Sequence, residues 1–227
     1  MSQTLVNKRD QEFILFEQIG VDRLLSGDAF CGLTRDDILM MRDEAEKMAL
    51  HVFQPAYAEG DRVGCIFENG HVRIPPSFHN GYWKFVEGGW LCPAKCVDVG
   101  GQGLPISVVT VCVEFFYAAN FPLLMYPGLT AGAAALIERF GTPEQKDRYM
   151  YRMYQGEWTG TMCLTEAGAG TDVGALRTRA VRLPDGTYRI KGTKCFISCG
   201  DHDLTPNIIH LVLARIEGDP PGTEGIS

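Results

Sequence analysis

The chain has 227 residues, 45% hydrophobic and 22% charged, enough to bury a core as one large domain or two small ones. A net charge of −7 without an evident basic cluster argues against a nucleic-acid surface. Arg177, Arg179 and Arg182 alternate with Thr178, Ala180 and Val181 and read as a solvated strand face.

In chain order, Phe13, Ile14, Phe16 and Ile19 recur at helical spacing over residues 9–19. Thr34 reads as an N-cap with Asp36 and Asp37 in the first turn, where the helix dipole favours anions. The helix it opens is expected over 35–58, with Ile38, Met41, Ala45, Met48, Ala49 and Val52 as its apolar stripe. Asn69-Gly70 signals a short hairpin, and a helix is expected from Ser77 to Gly88, with Phe78, Tyr82 and Phe85 on one face.

The glycine-rich loop from Val99 to Pro105 opens a long apolar helix expected to end near Asn120. The apolar run Leu104 to Ala119 falls short of the roughly 20 residues that cross a bilayer. A small-residue helix follows from Ala131 to Phe140 and stops at Gly141. Thr142-Pro143-Glu144-Gln145 starts the next, with an N-cap, a proline at the first position and Gln at N3.

After Gly156 the period changes from helix to strand. Strands are expected at 158–165, at 181–183 and 188–190 flanking Pro184-Asp185-Gly186, at 194–198, and at 208–214. The expected fold is α+β: a helical domain over 1–157, then an incomplete, barrel-like antiparallel β-domain over 158–227.

The eight cysteines lack zinc-knuckle spacing and read as buried free thiols in a reducing compartment. No metal site is expected. With a polar N-terminus, a soluble cytoplasmic protein is expected.

The stretch that suggests chemistry is Gly160-Thr-Met-Cys-Leu-Thr-Glu-Ala-Gly-Ala-Gly-Thr-Asp-Val173. A strand runs into a loop of Gly168, Ala169 and Gly170, flanked by the hydroxyls of Thr165 and Thr171. Small residues let a ligand approach the backbone, and glycine reaches positive φ without strain. Successive amides in such a turn form an anion-binding concavity, so a polar, phosphate-bearing ligand is indicated.

The run Met162-Cys-Leu-Thr-Glu-Ala-Gly-Ala-Gly-Thr-Asp172 resembles the acyl-CoA dehydrogenase flavoproteins. Their loop reads Thr-Glu-Pro-Gly-Ala-Gly-Ser-Asp, with Ala167 here for Pro and Thr171 for Ser. A second stretch, Ile190 to Gly200, resembles the family's Gly-x-Lys-x-Trp-Ile-Thr/Ser segment, with Phe196 for Trp. Ile-Ser-Cys-Gly-Asp-His-Asp-Leu-Thr205 and the long N-terminal lead are most similar to the larger, methylmercaptopropionyl-CoA dehydrogenase-like branch, of which this chain would be a fragment.

The resemblance implies FAD held by Met162, Cys163, Leu164, Thr165, Gly170, Thr171, Phe196, Ile197 and Ser198, with Thr171 also near the acyl-CoA substrate. It implies α,β-dehydrogenation of an acyl-CoA thioester, electrons passing to an electron-transferring flavoprotein, and a homo-oligomer at full length. The family's general base is a glutamate from a later helical domain, so no catalytic residue is assigned here. The same fold also serves acyl-CoA or nitroalkane oxidase-like relatives, or a binding module without activity.

Overall fold

A computed structural model describes residues 4–30 and 32–227. Helix α1 (Lys8–Glu12) continues as a π-helical segment over Phe13–Ile19 and ends at Gly20, whose φ of 68° is left-handed. That residue separates it from the short α2 (Asp22–Leu25). Phe13, Ile14 and Ile19 are exposed, while Leu15 and Phe16 face the core.

Thr34 caps α3 (Arg35–Met48) in a capping box with Asp37: the Asp37 amide donates to Thr34 Oγ1 at 3.2 Å. A π turn over Ala49–Phe53 joins α3 to α4 (Gln54–Val63). Pro55 follows this turn; the wider i→i+5 pattern accommodates a ring that would otherwise press on the preceding turn's carbonyl. The helix therefore runs past its expected end at 58 to Val63. Strands β1 (Ile66–Glu68) and β2 (His71–Arg73) form the expected hairpin, with Asn69 and Gly70 at φ 53° and 84°. Helix α5 (Pro76–Glu87) buries Phe78, Tyr82 and Phe85 as expected.

Helix α6 spans Ile106–Phe140, joining two helices expected to be separate. Asn120 leaves helical geometry (φ −161°, ψ 82°), two residues before Pro122. Its side chain accepts from Leu123 N at 3.0 Å and donates to Phe53 O at 3.1 Å, so it caps the second half from inside the core. The joined helix is long and apolar enough to cross a membrane by length and composition, contrary to the expectation from the shorter run, but 56% of its most apolar window is buried in the fold. A ring cluster packs on its first half: Phe116 lies 4.9 Å from Phe53, 5.1 Å from Phe85 and 5.3 Å from Trp90, centroid to centroid.

Thr142 caps α7 (Pro143–Gln145) in a second capping box, and a π turn leads to α8 (Tyr151–Tyr154). Strand β3 (Thr159–Cys163) then lies along α6. A Cβ on Gly160 would sit 2.4 Å from Met153 Cε and 2.8 Å from Ala133 Cβ, so glycine facing the small-residue stretch of α6 permits this contact. The Gly160 amide donates to buried Thr130 Oγ1 at 3.1 Å.

Strands β4 (Arg179–Arg182) and β5 (Tyr188–Lys191) make the expected antiparallel hairpin. Strands β6 (Ile208–Val212) and β7 (Arg215–Ile216) pair in parallel, β6 with β3 and β7 with β4. The helical domain and small sheets match the expected fold class; the parallel pairs depart from its antiparallel part. The chain crosses between sheets before returning, so hairpin geometry does not set these registers. Among the described residues the sheets do not close into a barrel.

The expected strand at 194–198 is irregular: Phe196 and Cys199 take φ of 57° and 56°, which ends extended pairing. Cys92, Cys112 and Cys163 are buried free thiols, whereas Cys65 and Cys96 are exposed, against the expectation for the set. Cys31 lies outside the described residues.

Candidate functional site

Alternation along β3 sends Thr159, Thr161 and Cys163 inward and leaves Met162 facing out. Beyond it, Glu166 and Ala169 exchange backbone hydrogen bonds of 3.0 and 3.1 Å, closing a tight turn whose tip, Ala167-Gly168, is exposed. Gly170 and Thr171 are exposed on its far side, and Leu164 and Thr165 are half-buried below it. Neither Gly168 nor Gly170 has positive φ. A Cβ on Gly168 would meet nothing within 4 Å, and one on Gly170 only Thr165 Cγ2 at 4.0 Å. The missing side chains leave a cradle open beside the backbone.

The second stretch meets the first through a hydrogen bond from Cys195 N to Thr165 O, 2.9 Å. Phe196 is 92% exposed while held at positive φ. A bulky residue there costs on the order of 1–3 kcal/mol, and its solvent-facing ring returns nothing to the core. Ile197 is half-buried and Ser198 exposed. All nine residues singled out by resemblance thus belong to two segments that touch.

A brace not foreseen from the sequence holds them. Glu166 Oε2 accepts from Arg177 N at 2.7 Å, and Oε1 from Thr178 N at 2.9 Å and Lys194 Nζ at 3.0 Å. Lys194 Nζ also donates to Leu164 O at 2.9 Å. Both side chains are about nine-tenths buried. Burial would raise the Glu166 pKa, but the hydrogen bonds from Thr178 and Arg177 and the Lys194 ammonium outweigh it and bring it to about 2. The sequence signal was there: one acid inside a glycine loop, and one lysine inside the second stretch.

The segment after Phe196 docks this region on the helices. Asp201 and Asp203 carboxylates accept from Val72 N at 2.9 Å and Ile74 N at 3.1 Å. Between them His202 is buried, accepting at Nδ1 from Leu204 N at 3.2 Å and meeting Thr159 Oγ1 through Nε2 at 3.0 Å. A cavity of about 200 Å³ lies between α6 and the segment that follows α5, lined almost entirely by apolar groups including Trp90, Leu91, Val109, Tyr117, Leu124 and Pro127.

The arrangement is an α+β unit with a helical layer enclosing an apolar cavity, and an open strand-edge turn carrying hydroxyls and an exposed ring. The sequence profile described as "Acyl-CoA dehydrogenase, N-terminal domain" matches residues 35–157. Butyryl-CoA dehydrogenase of Syntrophomonas wolfei is 40% identical over 231 aligned positions, covering 98% of this chain and 37% of that protein. 3-Methylmercaptopropionyl-CoA dehydrogenase of Ruegeria pomeroyi is 38% identical, over 85% of this chain and 33% of its own length. The crystal structure of a probable acyl-CoA dehydrogenase from Mycobacterium abscessus superposes with a TM-score of 0.69 at 28% identity, covering 86% of this chain and 47% of that one. The chain belongs to the acyl-CoA dehydrogenase family, and it spans about 37% of the length of relatives such as the S. wolfei enzyme.

Proposed function

We propose that the chain is the front part of a flavin-dependent acyl-CoA dehydrogenase, binding FAD at the cradle. The observation that carries this is Phe196, exposed and strained beside an open glycine turn. Such a ring is explained by a planar partner that stacks on it, and strained backbone concentrates at sites of this kind.

FAD when bound supplies the hydride acceptor for α,β-dehydrogenation of the thioester. The chain's residues bind and orient. Met162, Cys163, Leu164 and Thr165 would lie along the ring system, Gly170 and Thr171 near the phosphates, and Phe196, Ile197 and Ser198 against the ring from the second segment. Thr171 would also meet the acyl-CoA, whose apolar chain suits the cavity at Tyr117 and Leu124. Glu166 is no candidate base, since its oxygens are taken by two amides and Lys194.

The division at 157/158, the cytoplasmic setting, the homo-oligomer and the electron-transferring flavoprotein as acceptor belong to the same reading. A visible spectrum after adding FAD and desalting tests it. A retained flavin band that Phe196→Ala weakens is expected. A colourless protein, alone and when extended to the length of its relatives, would sink it.

A further inference from the structure

The three-stranded sheet, in the order β5-β4-β7, has two unlike faces. One is apolar: Ala180, Ile190 and Ile216 with Val212 and Ala214 line a groove. On the other, the register sets Lys191 directly opposite Arg179, and Arg179 directly opposite Arg215. One row across all three strands is therefore cationic, about 10 Å from end to end at the usual strand spacing. Arg189, two residues before Lys191, adds to the same face, and Arg177 stands exposed just before β4.

Like charges directly opposite each other destabilise a sheet. Here the repulsion is left standing. Among the described residues, Arg177, Arg179, Arg189 and Lys191 form no ion pair within 4 Å. Glu217 follows Arg215 by two residues on this edge, and it too stays unpaired. A chain of net charge −7 has acids to spare for neutralising such a row. Arg215 shows where the row begins: its Nη2 donates to Gly174 O and Gly222 O, both at 2.9 Å. Gly174 lies three residues beyond Thr171, so the row leads away from the cradle's far side.

We propose that this face docks the phosphate-bearing nucleotide end of the coenzyme A thioester. The proposal rests on the preceding reading for the identity of the ligand, not for the existence of the anion site. A thioester held at Thr171 carries a pyrophosphate and a ribose phosphate on a long flexible arm. Guanidinium groups grip phosphate through paired N–H donors, and several phosphates neutralise a row that one carboxylate would not.

The probe is adenosine 3′,5′-bisphosphate, titrated calorimetrically into the chain at low and physiological salt. Saturable binding that weakens with salt is expected. The double variant Arg179→Glu, Lys191→Glu should bind roughly tenfold more weakly while its Tm holds, because a carboxylate at position 179 now faces Arg215, and the repulsion between positions 179 and 191 is exchanged for one of the opposite sign rather than increased. Lys191→Met, which removes a charge without reversing it, should weaken binding less. Acyl-pantetheine, lacking the phosphates, should bind wild type and variants alike. No saturable binding by wild type, or equal binding by the double variant, overturns the proposal. Retained flavin without bisphosphate binding would reject this site and leave the flavin reading intact; bisphosphate binding by a protein that stays colourless both alone and at the length of its relatives would do the reverse.

Discussion

The chain has two glycine-rich loops, and they use glycine for opposite reasons. In the loop at 99–105, Gly100 and Gly103 have φ of 89° and 65°, and a Cβ on Gly101 would lie 2.0 Å from Lys95 O. The fold needs those glycines. In the loop at 166–171, Gly168 and Gly170 have neither positive φ nor close neighbours. The fold does not need them, so what they leave room for lies outside it. A glycine-rich run acquires functional meaning when the backbone gives no reason for it.

The sharpest way to break this comparison is to add one methyl group to each loop. Gly101→Ala drives a Cβ into two backbone carbonyls, those of Lys95 and Cys92, which no rotamer change relieves. A loss on the order of 4 kcal/mol is expected, read as a collapsed urea midpoint. Stability near wild type would show that this loop is as free as the other.

The loops also differ in what closes them. The first is tied by backbone bonds, Gly101 N to Cys96 O at 3.0 Å and Gly103 N to Lys95 O at 2.8 Å. The second has its tip closed by the Glu166–Ala169 backbone bonds but depends on the buried Glu166–Lys194 pair to hold it to the neighbouring segment. Glu166→Ala strands a buried ammonium and should cost about 3 kcal/mol, with amide exchange rising at Arg177, Thr178 and Cys195 and unchanged at 99–105. Double removal, Glu166→Gln with Lys194→Met, should recover part of that loss.

Acid separates the two loops in the same direction. Glu166 titrates at about 2 against an ordinary 4.5. Its contribution is therefore complete above pH 4.5 and is lost as pH falls towards 2. His202 acts earlier. Burial lowers its pKa to about 4 from 6.5, so the fold favours the neutral ring and loses stability as pH drops through that window. Urea midpoints against pH should fall in two stages, and His202→Gln should flatten the upper one. A single-stage fall would mean that one group is not held as described.

Much of the fold was legible because it is written locally. The capping boxes at Thr34 and Thr142, the Asn69-Gly70 turn and the Pro184-Asp185-Gly186 turn each lie within a few residues. The two stretches of the candidate site were legible as sequence, and the Cys195–Thr165 bond brings them together. What escaped depends on distant partners. Nothing near Ile208 announces a parallel pairing with Thr159. Arginines that read as a solvated face become a cationic row only once Lys191 and Arg215 are in register with Arg179. The long apolar helix was expected to end near Asn120, but only the buried Asn120 side chain turns that end into a kink within one helix.

The smallest effect on stability carries the most about function. Gly168→Ala places a methyl group where nothing lies within 4 Å, at a residue whose φ is not positive. Stability should stay level or rise by about 0.5 kcal/mol, since alanine restricts the unfolded chain. If the cradle holds a cofactor, the same methyl occupies space the ligand needs, and flavin retention should fall at least severalfold with the midpoint unchanged. Gly170→Ala, with Thr165 Cγ2 at 4.0 Å, should behave alike. Loss of stability would show that these glycines serve the fold after all, as Gly101 does. Unchanged stability with unchanged flavin binding would place the cofactor elsewhere on the chain. Only stability kept and binding lost separates a glycine kept for a ligand from one kept for the backbone.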